Sequence, residues 1–233
     1  MVTELFRFVD VCCEDSDREY SFILHSGETR LLQLSSKVEK DNMIDLAIGE
    51  AVCGKGRVEI AQGDRRRSKT AVSGPQGERR SRNESAPMIW QPLKASRPGR
   101  VGWVAANGGL INNLKVWENV TLPLWYHTRR DVVETEQSVK HWLEMLGLEQ
   151  DACAEFMASP LFALEPWQRK LAGLLRALVQ MPRVMVVDAV LFEDVKARLA
   201  SNWVAALEAF AAQGRTVLVI ADKATVLPWK KIE

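Results

Sequence analysis

Val184-Met-Val-Val-Asp188 is a run of four apolar residues ending in an acid, and it follows Met181-Pro182. A strand with helices over both faces has this continuous apolar character, which is how strands of parallel sheets read. A second such run, Thr216-Val-Leu-Val-Ile-Ala221, is introduced by Gln213-Gly214. Between the two, 195–212 carries Leu199, Val204, Leu207 and Phe210 at helical spacing. Strand, helix, strand with both strands apolar predicts a β-α-β unit and a parallel sheet.

Upstream, 21–34 reads as a strand, a Gly27-Glu28 turn and a second strand. Residues 43–48 read as helix, with Gly49 where that helix ends. Strand, loop, helix is the setting of a phosphate-binding loop, G-x-x-x-x-G-K-[ST]. Its glycines let backbone N–H groups wrap phosphates, its Lys reaches the β and γ phosphates and its hydroxyl takes Mg²⁺. The matching stretch here is Leu34-Ser-Ser-Lys-Val-Glu-Lys-Asp-Asn42. Lys40 stands at the lysine position, Leu34 and Glu39 at the two glycine positions, and Asp41 at the hydroxyl position. A Cβ at either glycine position obstructs the tight turn. On its own this stretch reads as an ordinary strand-to-helix loop.

Val116-Trp-Glu-Asn-Val-Thr-Leu-Pro-Leu124, within Gly102–Leu124, and Leu164-Glu-Pro-Trp-Gln-Arg-Lys-Leu-Ala-Gly-Leu-Leu-Arg-Ala-Leu178 complete an ordered series with the stretches above. Taken together, the series resembles the ATP-binding cassette (ABC) transporter ATPases. It looks most like the ATPases of MCE-type phospholipid transporters, the Mla-like systems of double-membraned bacteria. Residues 102–124 resemble that family's Q-loop region, 164–178 its signature segment and following helix, and 184–188 its Walker B strand. The resemblance covers roughly residues 6–222.

It implies an α/β, P-loop NTPase-like ABC ATPase fold: a parallel-rich sheet with an N-terminal antiparallel portion and a helical subdomain. The chain is then one ABC ATPase-like domain over 1–233, with its core in 1–105 and 183–233 and its helical subdomain over about 106–182. ATP and Mg²⁺ are the implied cofactors, with Lys40, Asp41, Asn42 and Asp188 as their residual binding residues. The implied partners are an integral-membrane permease and a second cassette, a paralogue or a second copy. The permease contact falls on Leu110, Leu114, Trp117 and Leu124, and the location is cytoplasmic, peripheral on the inner membrane.

Several residues depart from the family pattern. The Q-loop glutamine position holds Ala106, the signature serine and glycines are Glu165, Pro166 and Trp167, the carboxylate after Walker B is Ala189, and the switch histidine is Asp222. No aromatic suited to stacking adenine stands near Val11-Cys12 in the sequence. Phosphoryl transfer is mostly positioning and charge stabilisation. These losses therefore predict a hydrolysis-deficient subunit with no catalytic residues, and they put ATP and Mg²⁺ binding in doubt. A nucleotide-free adaptor with the ABC fold and an ATPase with a non-standard site are the alternatives.

Composition fits one cassette-sized α/β domain: 233 residues, 47% apolar and a net charge of +1. That balance selects neither nucleic acid nor membrane. No apolar run approaches the ~20 residues of a membrane span, and the first residues lack a signal-peptide pattern. Cys12, Cys13, Cys53 and Cys153 show no disulfide framework, and no metal-site spacing accompanies them or His127 and His141. Residues 64–100 depart from the average, with ten basic and three acidic residues. That composition predicts a basic flexible loop. A solvated loop is the plain reading and anionic lipid headgroups the alternative; nucleic acid is not expected, because Trp90 stands alone among the basic residues. Residues 132–148 read as an amphipathic helix with Val139, Trp142, Leu143 and Leu146 on one stripe.

Overall fold

The computed structural model describes residues 3–13, 18–61, 89–93, 100–127, 131–222 and 227–232. Two sheets organise these residues. The first is antiparallel, of four strands: β1 (Glu4–Cys12), β2 (Glu19–His25), β4 (Arg57–Ala61) and β5 (Trp90–Pro92), in the order β2-β1-β4-β5. The second holds β3 (Thr29–Gln33), β6 (Val101–Val104), β7 (Val184–Asp188), β8 (Thr216–Ala221) and β9 (Lys230–Lys231). Its order is β6-β7-β8-β3-β9, and every pairing in it is parallel.

The alternation of side chains along a strand explains how this parallel sheet is covered. Met185 and Val187 of β7, with Val217 and Val219 of β8 and Leu31 of β3, face one apolar cluster. Val184 and Val186, with Leu218, Ile220 and Leu32, face another. The first cluster is closed by the helices α2 (Val116–His127), α3 (Val132–Met145), α4 (Gln150–Ala158), α5 (Pro166–Gln180) and α6 (Ala197–Ala212). The second is closed by α1 (Lys37–Ile48) and by the apolar face of the antiparallel sheet, through Phe6, Phe8 and Ile60. Both faces of β7 and β8 are therefore dry, which is why their sequences are unbroken apolar runs.

Local chemistry sets the helix ends. Asp131 caps α3 by accepting the Val132 amide at 2.7 Å. Pro166 opens α5 at a position where its missing N–H costs nothing. Gly49 ends α1 in the left-handed region, at φ 80°. Met181 closes α5 in the same region at φ 54° without being glycine, and the Arg215 guanidinium donates to the Met181 and Pro182 carbonyls there.

The parallel strands, the N-terminal antiparallel portion and the amphipathic helix all form as the sequence predicts; Val139, Trp142, Leu143 and Leu146 are all buried. Two expectations are corrected. The first helix starts at Lys37, not Met43, so residues read as loop are its first turn. Leu124 is 2% exposed within the helical cluster and offers nothing to a permease. The basic stretch 64–100 lies outside the described residues apart from 89–93 and Arg100. Arg183, just before β7, donates to the Ala61 carbonyl of β4 and so ties the two sheets together.

Candidate functional site

The C-terminal end of β3 lies beside that of β8, where the Leu34 amide donates to Ala221 O at 2.8 Å. Residues 34–36 carry the chain from β3 into α1. Ser36 is extended, and its hydroxyl accepts the Glu39 amide at 3.1 Å. Glu39 turns back over the same residues: its Oε2 accepts the Ser35 amide at 2.9 Å, and its Oε1 accepts the Tyr20 hydroxyl at 2.6 Å. This is a variant of the capping box, in which an acid three residues into the helix satisfies an amide just before it. Tyr20 belongs to β2 and pairs with Val11, so the sheet register supplies an aromatic beside Val11-Cys12 that linear order conceals.

One turn into α1, the Lys40 ammonium meets Asp188 at the end of β7. The two Nζ–Oδ distances are 3.0 and 3.1 Å, across 148 residues of sequence. Both residues are buried, Lys40 at 2% and Asp188 at 7% exposure. Asp188 Oδ1 also accepts the Val190 amide at 3.1 Å, which fixes the carboxylate at the strand end. Asp41 is exposed, with its carboxylate 3.8 Å from the ammonium, and Asn42 follows it half-buried. A buried pair of this kind is costly to break, because either charge left alone lacks its counterion.

The surroundings titrate accordingly. Burial, then Glu39, pushes the Cys13 thiol up to about 11, and its Sγ lies 3.8 Å from Glu39 O. Burial and the hydrogen bond to Glu39 raise Tyr20 well above the ordinary phenol range. Burial, then Asp41, raises Asp45.

The residues that the family resemblance sets around this site are placed as follows. Ala189 is buried and begins a short 3-10 turn. Glu165 and Gln168 cap the α5 N-terminus reciprocally, and the Trp167 indole N–H donates to the Glu165 carboxylate. Ala106 and Asp222 are half-buried at the ends of β6 and β8.

The segment between β6 and α2 is held from two sides. Asn119, 1% exposed, accepts the Ile111 amide at 2.7 Å and donates to the carbonyls of Ile111, Leu114 and Lys115 at 3.1 to 3.2 Å. Glu118 accepts the Lys115 amide at 2.7 Å. The Glu-Asn pair of 116–124 is therefore the device that shapes the preceding turn. On the other side, Arg176 of α5 donates to Gly109 O at 2.8 Å and to Gly108 O at 3.1 Å. Burial lowers the Arg176 pKa. Leu110, Leu114 and Trp117 emerge half-buried from this segment and Ile111 is 45% exposed. Trp125, Tyr126 and Phe162 are more exposed still and were not anticipated.

An ammonium and hard carboxylate oxygens at the C-terminal edge of a parallel sheet are the donor types that a magnesium nucleotide takes. Lys40, Asp188 and Asp41 are of those types, while Glu39 adds a buried carboxylate beside them.

No family model and no curated protein matches the chain. Solved structures do. The chain is similar to the dimeric ATP-binding cassette MJ0796, in a post-hydrolysis state bound to ADP and Pi, at 16% identity and a TM-score of 0.68, over 94% of this chain and 88% of that one. It is also similar to cbiO1 from Clostridium perfringens, part of the ABC transporter complex cbiONQ, at 16% identity and a TM-score of 0.65, over 97% and 81% of the two chains. A putative metal-chelate type ABC transporter follows at 14% identity and a TM-score of 0.64, over 95% and 74%.

These findings correct the expectation of a hydrolysis-deficient subunit in which ATP and Mg²⁺ are doubtful. The same frame in MJ0796 holds ADP and Pi after hydrolysis. The expectation rested on the joint loss of the residues at 106, 165–167, 189 and 222. Lys40 and Asp188, both named from the sequence as residual binding residues, meet at the sheet edge. The chain has the ABC ATPase fold.

Proposed function

We propose that this protein is the ATP-binding subunit of an ABC-type transporter, holding magnesium nucleotide at Lys40 and Asp188 and docking on a membrane permease. The observation that carries the reading is the buried Lys40–Asp188 contact within the cassette fold. On nucleotide binding the Lys40 ammonium would turn to the phosphates, leaving Asp188 and Asp41 to the metal. Bound MgATP would supply the phosphoryl transfer that drives transport.

Residues 106–182 serve as the helical subdomain. The permease docks on Leu110, Ile111, Leu114 and Trp117, which the Asn119 clamp presents on a fixed turn. The second cassette is a copy of this chain or a paralogue, and the assembly sits on the cytoplasmic face of the inner membrane. Among the described residues no helix is long and apolar enough to cross a membrane. The finer assignment to an MCE-like lipid transporter draws on the 116–124 stretch. The test is co-purification of the tagged chain from membranes with its permease, followed by MgATP binding and turnover by that complex. Lys40→Ala should lower both at least tenfold. A complex without a permease, or nucleotide binding indifferent to Lys40→Ala, would reject the reading.

A further inference from the structure

The nucleotide site already contains an anion of its own. The helix N-terminus that would receive phosphate is occupied by Glu39, whose carboxylate accepts the Ser35 amide at 2.9 Å. Its other oxygen is held at 2.6 Å by the Tyr20 hydroxyl, and the Glu39 amide is itself satisfied by the Ser36 hydroxyl. Glu39 as a residue is only 5% exposed, so this is not a surface cap left to solvent. Next to it Lys40 is held by a second carboxylate, that of Asp188. Both donor types that bind phosphate, backbone amide and ammonium, are thus engaged by acids of the chain.

We propose that Glu39 is an internal latch on the phosphate site, a built-in anion that the phosphates of an incoming nucleotide must displace. The proposal rests on the reading that Lys40 and Asp188 hold nucleotide. Ser35 is exposed, but Glu39 and the Tyr20 residue that donates to it are buried, so releasing the carboxylate forfeits hydrogen bonds to a charged acceptor. Another anion at the Ser35 amide offsets that loss, and helix N-termini favour phosphate in that role. Adenosine cannot make this exchange, whereas ADP, ATP or pyrophosphate can. Displacement also releases the Tyr20 hydroxyl, which links the latch to β2 and hence to the antiparallel sheet.

The experiment is calorimetric titration of the full chain with MgADP, magnesium pyrophosphate and adenosine. Wild type is compared with Glu39→Gln, Tyr20→Phe and Lys40→Ala. Glu39→Gln keeps a neutral acceptor for the Ser35 amide, and its NH2 can donate to the Tyr20 oxygen instead, but the charge is removed. It should bind MgADP and pyrophosphate at least tenfold tighter than wild type, with adenosine unchanged. Tyr20→Phe removes one holder of the latch and should tighten the same ligands severalfold. Phosphate affinity that is unchanged or weaker in both variants, with wild-type binding intact and sensitive to Lys40→Ala, overturns the latch and leaves the nucleotide site standing. Equal tightening toward adenosine overturns it too, since that would be general loosening. If wild type and all variants fail to bind phosphate ligands, both the latch and the site are rejected. Should Glu39→Gln not fold, Tyr20→Phe decides alone.

Discussion

Gly173 on α5 lies against Gly108, so that a Cβ built on Gly173 would stand 2.4 Å from the Gly108 Cα. This contact lets the segment after β6 touch α5 backbone to backbone, and Arg176 fastens it one turn further on. Glycine in a helix ordinarily costs about 1 kcal/mol against alanine. Here Gly173→Ala should instead destabilise by about 1–3 kcal/mol, the range for overpacking a dry contact. Urea denaturation of the purified variant checks the sign, and greater stability than wild type would refute the contact.

Breaking the Lys40–Asp188 pair from one side should be worse than removing it from both. Lys40→Met or Asp188→Leu alone should cost about 3–5 kcal/mol, because one buried charge is stranded. The double variant should cost less than the sum of the two single changes by more than about 1 kcal/mol. A double-mutant cycle by chemical denaturation measures the coupling, and strict additivity would contradict the geometry.

Cys13 makes stability depend on alkaline pH. Its thiol is raised from 9.0 to about 11 in the native protein, chiefly by burial. The native state therefore favours the neutral thiol. That contribution is whole below about pH 9 and is lost as pH rises toward 11. At ~1.4 kcal/mol per unit, wild type should lose ~2–3 kcal/mol relative to Cys13→Ala across that window. Parallel pH–stability curves for the two proteins would count against it.

The turn before α2 separates surface from core. Ile111→Asp and Leu114→Asp should release the chain from its permease with the melting temperature within a few degrees of wild type. Leu124→Asp should unfold it, since that side chain is in the helical cluster. Asn119→Ala should do both in part, by leaving the Ile111 amide and three carbonyls without their clamp. Pull-down from solubilised membranes and thermal melts, run on the same preparations, distinguish these outcomes.

The sequence revealed most where burial alone dictates residue type. β7 and β8 were legible because both faces of each are covered, so no polar residue interrupts them. The α3 stripe was legible because one face of that helix is covered. The start of α1 was misjudged because the comparison with a phosphate loop outweighed a local signal. Ser36-x-x-Glu39 is a capping pattern, and it places the helix start at Lys37. Asn119 was passed over as part of a motif, although its role is to build a turn. Tyr20 could not have been found by spacing. It meets Glu39 only because β1 and β2 pair in one register and α1 packs beneath them.

The tie between Arg183 and Ala61 at one end of β7, and between Asp188 and Lys40 at the other, has a consequence for how the chain is made. Among the described residues β3 pairs only with β8 and β9, late in the sequence. During synthesis the first hundred or so residues therefore emerge with an unpaired strand and a bare apolar face. They must wait until most of the chain has left the ribosome. Long-range pairing of this kind slows folding and leaves sticky edges exposed meanwhile. Truncated chains ending before β7 should aggregate or be degraded, and a ribosome-stalled series should gain protease resistance abruptly once residue 221 is clear of the exit tunnel.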